Sequence, residues 1–99
     1  MKNYFIYVNE HGKVPFYSRA YEWEYAGERF ITHRALFFNG EKWLQSKDSW
    51  TVTHADTGFS VVTGITTKRD SEAEAKRRID SVGDNMQKYI QQAKDKIGE

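Results

Sequence analysis

Trp50-Thr51-Val52-Thr53-His54-Ala55-Asp56-Thr57-Gly58-Phe59-Ser60-Val61-Val62-Thr63-Gly64-Ile65 spells a β-hairpin almost residue by residue. Trp50, Val52 and His54 alternate with Thr51 and Thr53, residues 55–58 supply turn chemistry, and Phe59, Val61 and Ile65 alternate with Ser60 and Val62. A four-residue loop sets Trp50 opposite Thr63, Val52 opposite Val61 and His54 opposite Phe59. That register gathers the bulky side chains on one face, as a strand pair covering a core requires.

The partner of that face follows directly in the chain. Ser71-Glu72-Ala73-Glu74 has the form of a capping box, with Ser71 accepting from the Glu74 amide while Glu74 reaches back. Ala75, Ile79, Val82, Met86, Ile90, Ala93 and Ile97 then fall within one stripe at helical spacing, which predicts a helix over 70–97 with one inward face. Gly83-Asp84-Asn85 is its weak point, since glycine inside a helix costs about 1 kcal/mol relative to alanine. The unbroken stripe favours one helix with a soft centre over two.

Upstream, Tyr4-Phe5-Ile6-Tyr7-Val8 reads as a strand and residues 14–17 as its return, with Pro15 restricting that return to an edge. Tyr21, Trp23 and Tyr25 alternate with Glu22 and Glu24, placing aromatics on one face and carboxylates on the other. After a turn at Ala26-Gly27-Glu28 comes a long apolar stretch to Phe38, and then Asn39-Gly40, the pair suited to a two-residue type I′ turn. Residues 41–45 pair back, and residues 46–49 separate that strand from the opening hairpin. The expected fold is a single α+β domain over 1–99, an antiparallel meander of five or six strands (1–66) with one long C-terminal helix packed on one face.

Composition narrows the function classes. Cysteine is absent from the 99 residues, which excludes disulfides and thiolate metal sites and fits a reducing, cytoplasmic setting. The first apolar run is five residues long, too short for a signal peptide or a membrane span. Residues 1–67 carry 7 basic and 7 acidic side chains and residues 68–99 carry 8 and 7, so there is neither a basic arm nor an acidic tail. Aromatic residues make up 15% of the chain. A single helix covers a single sheet face, yet aromatics occur on both parities of several strands, so some of them belong at the surface or in an interface.

Tyr21, Trp23 and Tyr25 are the clearest such group, with Glu22, Glu24 and Glu28 as a charged rim and Tyr7 and Tyr17 as neighbours. Lys68, Arg69, Lys76, Arg77 and Arg78 are the alternative, a basic cluster at the helix start, of which Lys68, Arg69 and Arg77 would hold phosphate. Glu72 precedes Lys76, Glu74 precedes Arg78 and Asp84 precedes Lys88 by four residues, so these charges read as mutually neutralised. His11, His33 and His54 are the sole imidazoles, none with the helical spacing of a zinc site or an indicated orienting partner, and His54 reads as a rim residue. No phosphate loop, dinucleotide fingerprint or nucleophile elbow occurs, so no cofactor, metal or catalytic residue is expected.

Two resemblances extend this reading. Val61, Gly64, Thr67, Lys68, Arg69, Ala75 and Lys76 resemble the last strand and closing helix of a double-stranded RNA-binding domain, from which the chain departs in its acidic Asp70, Glu72 and Glu74 and in lacking a helix before its strands. As a whole the chain is similar in size and build to small phage-encoded accessory proteins, including anti-CRISPR and other anti-defence inhibitors. That resemblance implies a compact, cofactor-free protein that occludes a host protein surface, such as that of a defence nuclease complex. The expectation is therefore a non-enzymatic intracellular binding protein with a protein partner, the alternative being a nucleic-acid-binding module that stacks bases on exposed aromatics. Homodimerisation through a bare sheet face or edge is left open.

Overall fold

A computed structural model describes residues 4–8, 12–16 and 20–97. The chain is α+β, with antiparallel sheets and two helices. Among the described residues six strands run in the order β1 (Tyr4–Val8), β2 (Gly12–Phe16), β3 (Ala20–Tyr25), β4 (Glu28–Phe38), β5 (Trp43–His54) and β6 (Ser60–Ile65). Helices α1 (Lys68–Val82) and α2 (Met86–Ile97) follow, joined by a 3₁₀ turn at Gly83–Asn85. The strands form two sheets instead of one meander: β1 pairs with β2, and β3-β4-β5-β6 form a four-stranded sheet.

The four-stranded sheet is covered on both faces. On one, Phe30, Val52 and Val62 pack with Ala75 and Ile79 of α1, and Trp23, Tyr25, Ile65 and Met86 close around them. Each large aliphatic or aromatic side chain so buried contributes about 1.5–3 kcal/mol. On the other face Ile31, His33, Thr51 and Thr53 are buried beneath the β1–β2 hairpin. The hairpin is held by the Tyr7 amide donating to the Gly58 carbonyl (2.8 Å) and by Tyr7 stacking on Phe59, with ring centroids 4.9 Å apart. Tyr7 and Phe59 are aromatics that this second covering layer engages.

Turn chemistry departs from the expectation in two places. The two-residue turn with positive φ at both positions is Ala26-Gly27 (φ 52° and 81°), which joins β3 to β4. Asn39-Gly40 opens a four-residue loop instead: Asn39 Oδ1 accepts from the Glu41 and Lys42 amides, and only Gly40 has positive φ. Residues 46–49 do not separate two strands either. They form a bulge inside the continuous β5, where the register slips from Arg34↔Trp50 to Leu36↔Gln45, and the Arg34 guanidinium donates to the Lys47 carbonyl.

The opening hairpin keeps the expected register near its turn, with His54 donating to the Phe59 carbonyl and Thr53 opposite Ser60. It then slips twice, setting Val52 opposite Val62 and Trp50 opposite Ile65. The slips turn Val62, not Val61, fully into the core.

The helix begins earlier than the capping-box reading and breaks where that reading kept it whole. Thr67 is the N-cap and accepts from the Asp70 amide (3.1 Å), while Ser71 lies buried inside the first turn and donates to the Lys68 carbonyl. Gly83, with φ 52° and ψ −128°, ends α1 and donates its amide to the Ile79 carbonyl. Only glycine adopts that backbone readily, so the stripe continues in a second, redirected helix.

Candidate functional site

The β3 ladder lies on the face that α1 covers, and the structure joins it to the helix stripe 68, 72, 76. Tyr21, Glu22, Trp23, Glu24, Lys68, Glu72 and Lys76 line a groove of about 320 Å³ along β3. No described strand pairs with the outer side of β3. The groove is pre-built by a hydrogen-bonded chain: the Trp23 indole N–H donates to Thr32 Oγ1 (2.8 Å), the Thr32 hydroxyl donates to Glu72 Oε2 (2.8 Å), and Lys68 pairs with that carboxylate at 3.4 Å. The Lys68 ammonium also stands 4.6 Å from the Tyr21 ring centroid, and Lys76 lies 5.6 and 5.8 Å from those of Trp23 and Tyr25.

Glu72 thus turns back to Lys68 rather than forward to Lys76, because Thr32 draws its carboxylate toward the sheet. Lys76 is left on the aromatic faces, with no carboxylate partner among the described residues. Tyr21 is the exposed member of the ladder at 39%; Trp23 is half-buried against Phe30 (5.2 Å), and the Tyr25 hydroxyl donates to Asp80 (2.7 Å). That bond keeps Tyr25 protonated, raising its pKa above the usual phenol value, with burial adding to the effect.

Glu28 opens β4 opposite Tyr25, outside the groove, and is engaged by His54. His54 Nε2 is hydrogen-bonded to the Glu28 carboxylate (2.7 Å) and Nδ1 to the Thr57 hydroxyl (2.8 Å). His54 is therefore buried, not a rim residue, because β4 sets Phe30 opposite it and brings Glu28 onto the same face. Acid, imidazole and hydroxyl in line have the order of a nucleophile relay. Thr57, however, is fully buried and accepts from the Phe59 amide, while the Gly58 amide is spent on the His54 carbonyl. Neither nearby amide remains for an oxyanion, and the relay locks the β5–β6 turn.

Glu28, His54 and Asp56 also bring ligand atoms within 4.8 Å of one another. Both His54 nitrogens already have partners, and Asp56 holds Arg29, whose hydrogen bond pulls the Asp56 pKa below the ordinary value. His33 is buried with Nδ1–H donating to the Arg34 carbonyl and Nε2 accepting from Thr53; burial lowers its pKa. Both described histidines have the orienting partners that spacing alone did not reveal. His11 and Tyr17 lie outside the described residues.

The alternative cluster is not assembled. Lys68 belongs to the groove, Arg77 and Arg78 both pair with Glu74, and Arg77 lies about 180° around the helix from Lys68 at 100° per residue. Arg69 is exposed between them. The Asp84 side chain lies outside the description.

Two further surfaces were missed in the sequence. An apolar cavity of about 300 Å³ lies between the sheet and the α1–α2 junction, where Ile79, Val82, Met86 and Ile90 face Phe30 and His54. The distal part of β4 and β5 extends past β3 and β6 as a two-stranded arm carrying Phe37 and Phe38, 47% and 43% exposed. No protein-family model, curated protein or solved structure matches the chain. Among the described residues, no helix is long and apolar enough to cross a membrane.

Proposed function

We propose that this chain is a non-enzymatic binding protein that occupies the surface of a partner protein through the groove beside β3. Tyr21 and Trp23 are the anchors, and Glu22, Glu24, Lys68 and Lys76 form the charged rim. The supporting observation is that an unpaired sheet edge, the exposed Tyr21 beside the half-buried Trp23, and charges of both signs converge on one concave surface. Large rigid aromatics rimmed by charge are the usual anchors of protein interfaces. In its sharpest form the protein is an inhibitor that covers a host nuclease complex, in keeping with its likeness in build to anti-defence proteins.

The test is co-purification of a partner with wild type, Tyr21→Ala, Lys76→Glu and, as a control on the distal arm, Phe37→Ser. Loss of the partner from the first two variants and retention by the third is expected. Retention by both groove variants, or tight and salt-sensitive binding of duplex RNA or DNA by the purified protein, would overturn the proposal.

A further inference from the structure

We infer that the groove takes an extended peptide as a fifth strand on β3, one with acidic side chains at positions i and i+4 and basic side chains at i+1 and i+3. This rests on the reading of the groove as the partner surface and names the partner's chemistry. A strand laid on an open sheet edge gains backbone hydrogen bonds, and its side chains alternate between the two faces of the sheet. Toward α1 they meet Tyr21, Trp23 and the stripe Lys68, Glu72, Lys76. Toward the other face they meet Glu22 and Glu24, which stand two residues apart on β3, as i+1 and i+3 do; Glu22 also accepts from the Tyr4 hydroxyl (3.2 Å) and pairs with Arg29 (3.5 Å), so the basic side chain beside it shares that carboxylate.

Spacing matches the charges. Lys68 and Lys76 are eight helical residues apart, about 12 Å, while four strand residues span about 13 Å. Acidic side chains at i and i+4 therefore reach the two ammoniums, and i+2 falls beside Glu72. Because Glu72 is drawn to Thr32 and Lys68, an apolar residue suits i+2. The opposite edge of the sheet is closed to such a strand: Arg78 donates to the Val61 carbonyl (3.0 Å), and Gly64 kinks β6 at its register slip.

The probe is a fluorescently labelled, end-blocked heptapeptide, Thr-Glu-Lys-Val-Lys-Glu-Thr, titrated into the full chain with anisotropy and amide chemical shifts as readouts. Two further versions carry backbone N-methyl groups on one or the other alternating set of residues. Expected are saturable binding, shifts concentrated at residues 20–25 and 68–76, abolition by one methylation set and not by the other, and about tenfold weakening in Lys68→Glu/Lys76→Glu. The methylation pair needs no protein variant, so it survives a folding defect in the double variant.

No saturable binding, shifts that map elsewhere, or equal binding of both methylated peptides would overturn strand addition. If strand addition fails while Tyr21→Ala and Lys76→Glu still release a co-purified partner, the surface-occupation reading stands alone. If the peptide adds as a strand while both variants keep the partner, that reading fails and the edge site remains.

Discussion

Gly58→Ala should be far more damaging than Gly64→Ala, although both residues have nearly the same backbone, φ 76° and 79°. Placing any Cβ in that left-handed region costs about 1–2 kcal/mol. At Gly64 nothing lies within 4 Å of the new methyl, so the strain is the whole cost. At Gly58 the methyl meets two Phe5 ring atoms at 2.7 and 2.8 Å and the Tyr7 amide nitrogen at 2.9 Å. Yielding there means shifting β1, whose Tyr7 amide is bonded to the Gly58 carbonyl, and forced overpacking adds about 1–3 kcal/mol. The expected losses are about 2–5 kcal/mol for Gly58→Ala and about 1–2 for Gly64→Ala, against a total stability of about 5–15 kcal/mol for a domain of this size. Urea unfolding followed by tryptophan fluorescence resolves the difference of about 1–3 kcal/mol, since a slope of about 1–2 kcal/mol per molar urea converts it to about 0.5–3 M in midpoint. Hydrogen exchange in β1 should rise in Gly58→Ala alone. Equal midpoints for the two variants would refute the seating of the β1–β2 hairpin on the β5–β6 turn.

Ala26 is the one non-glycine with positive φ among the described residues, φ 52° in the β3–β4 turn, so Ala26→Gly or Ala26→Asn should stabilise the chain by about 0.5–1 kcal/mol, read as a higher urea midpoint. Thr32→Val keeps the side-chain shape but leaves the Trp23 indole N–H and the Glu72 carboxylate without their shared hydroxyl; a loss of about 1–3 kcal/mol in the same assay is expected. Burial lowers the His33 pKa in the folded state, so the unfolded chain binds the proton first. Its contribution is present above the unfolded value and lost as pH falls through the folded one, and wild type should lose more stability between pH 7.5 and pH 5 than His33→Gln does. Gly83→Ala should cost about 1–3 kcal/mol through strain, since no neighbour crowds its Cβ; unchanged stability with higher far-UV helicity would show that α1 and α2 fuse readily.

What could be read from the sequence was local periodicity, and what escaped it was register. The alternation of Trp50, Val52 and His54 and the stripe Ala75, Ile79 report which side chains share a face, and Val52, Ala75 and Ile79 do meet in the core, but the intervening Thr51 and Thr53 are buried as well, on the opposite face. The bulge at residues 46–49 has the composition of a loop, Ser-Lys-Asp-Ser, and its strand character comes from Arg34 and the β4 ladder, partners remote in sequence. Likewise Thr67-Lys68-Arg69-Asp70 and Ser71-Glu72-Ala73-Glu74 are both plausible caps. Packing decided between them, because Ser71 is buried under the sheet and cannot stand at a helix entrance. Glu28 stands 26 residues before His54, which is only three from Thr57, and their relay could be found only once Phe30 was known to face His54.

The same dependence on register explains why the aromatic ladder and the basic helix start, separate candidates in the sequence, form one surface. Tyr21 faces Thr32 across β3 and β4, so the Thr32 hydroxyl stands between the ladder and whichever helical side chain reaches down to it. Glu72 does so, and by turning toward the sheet it draws Lys68 over Tyr21 and leaves Lys76 to the faces of Trp23 and Tyr25. Trp23, Glu72 and Lys68 therefore have protein partners within the groove itself. A site whose rotamers are already ordered loses less entropy on binding. On the proposed reading Thr32, which no ligand need touch, is a residue whose loss weakens peptide binding as well as stability. In Thr32→Val the heptapeptide should bind severalfold more weakly even where the protein is fully folded, and undiminished affinity would show that the groove is shaped without this chain of hydrogen bonds.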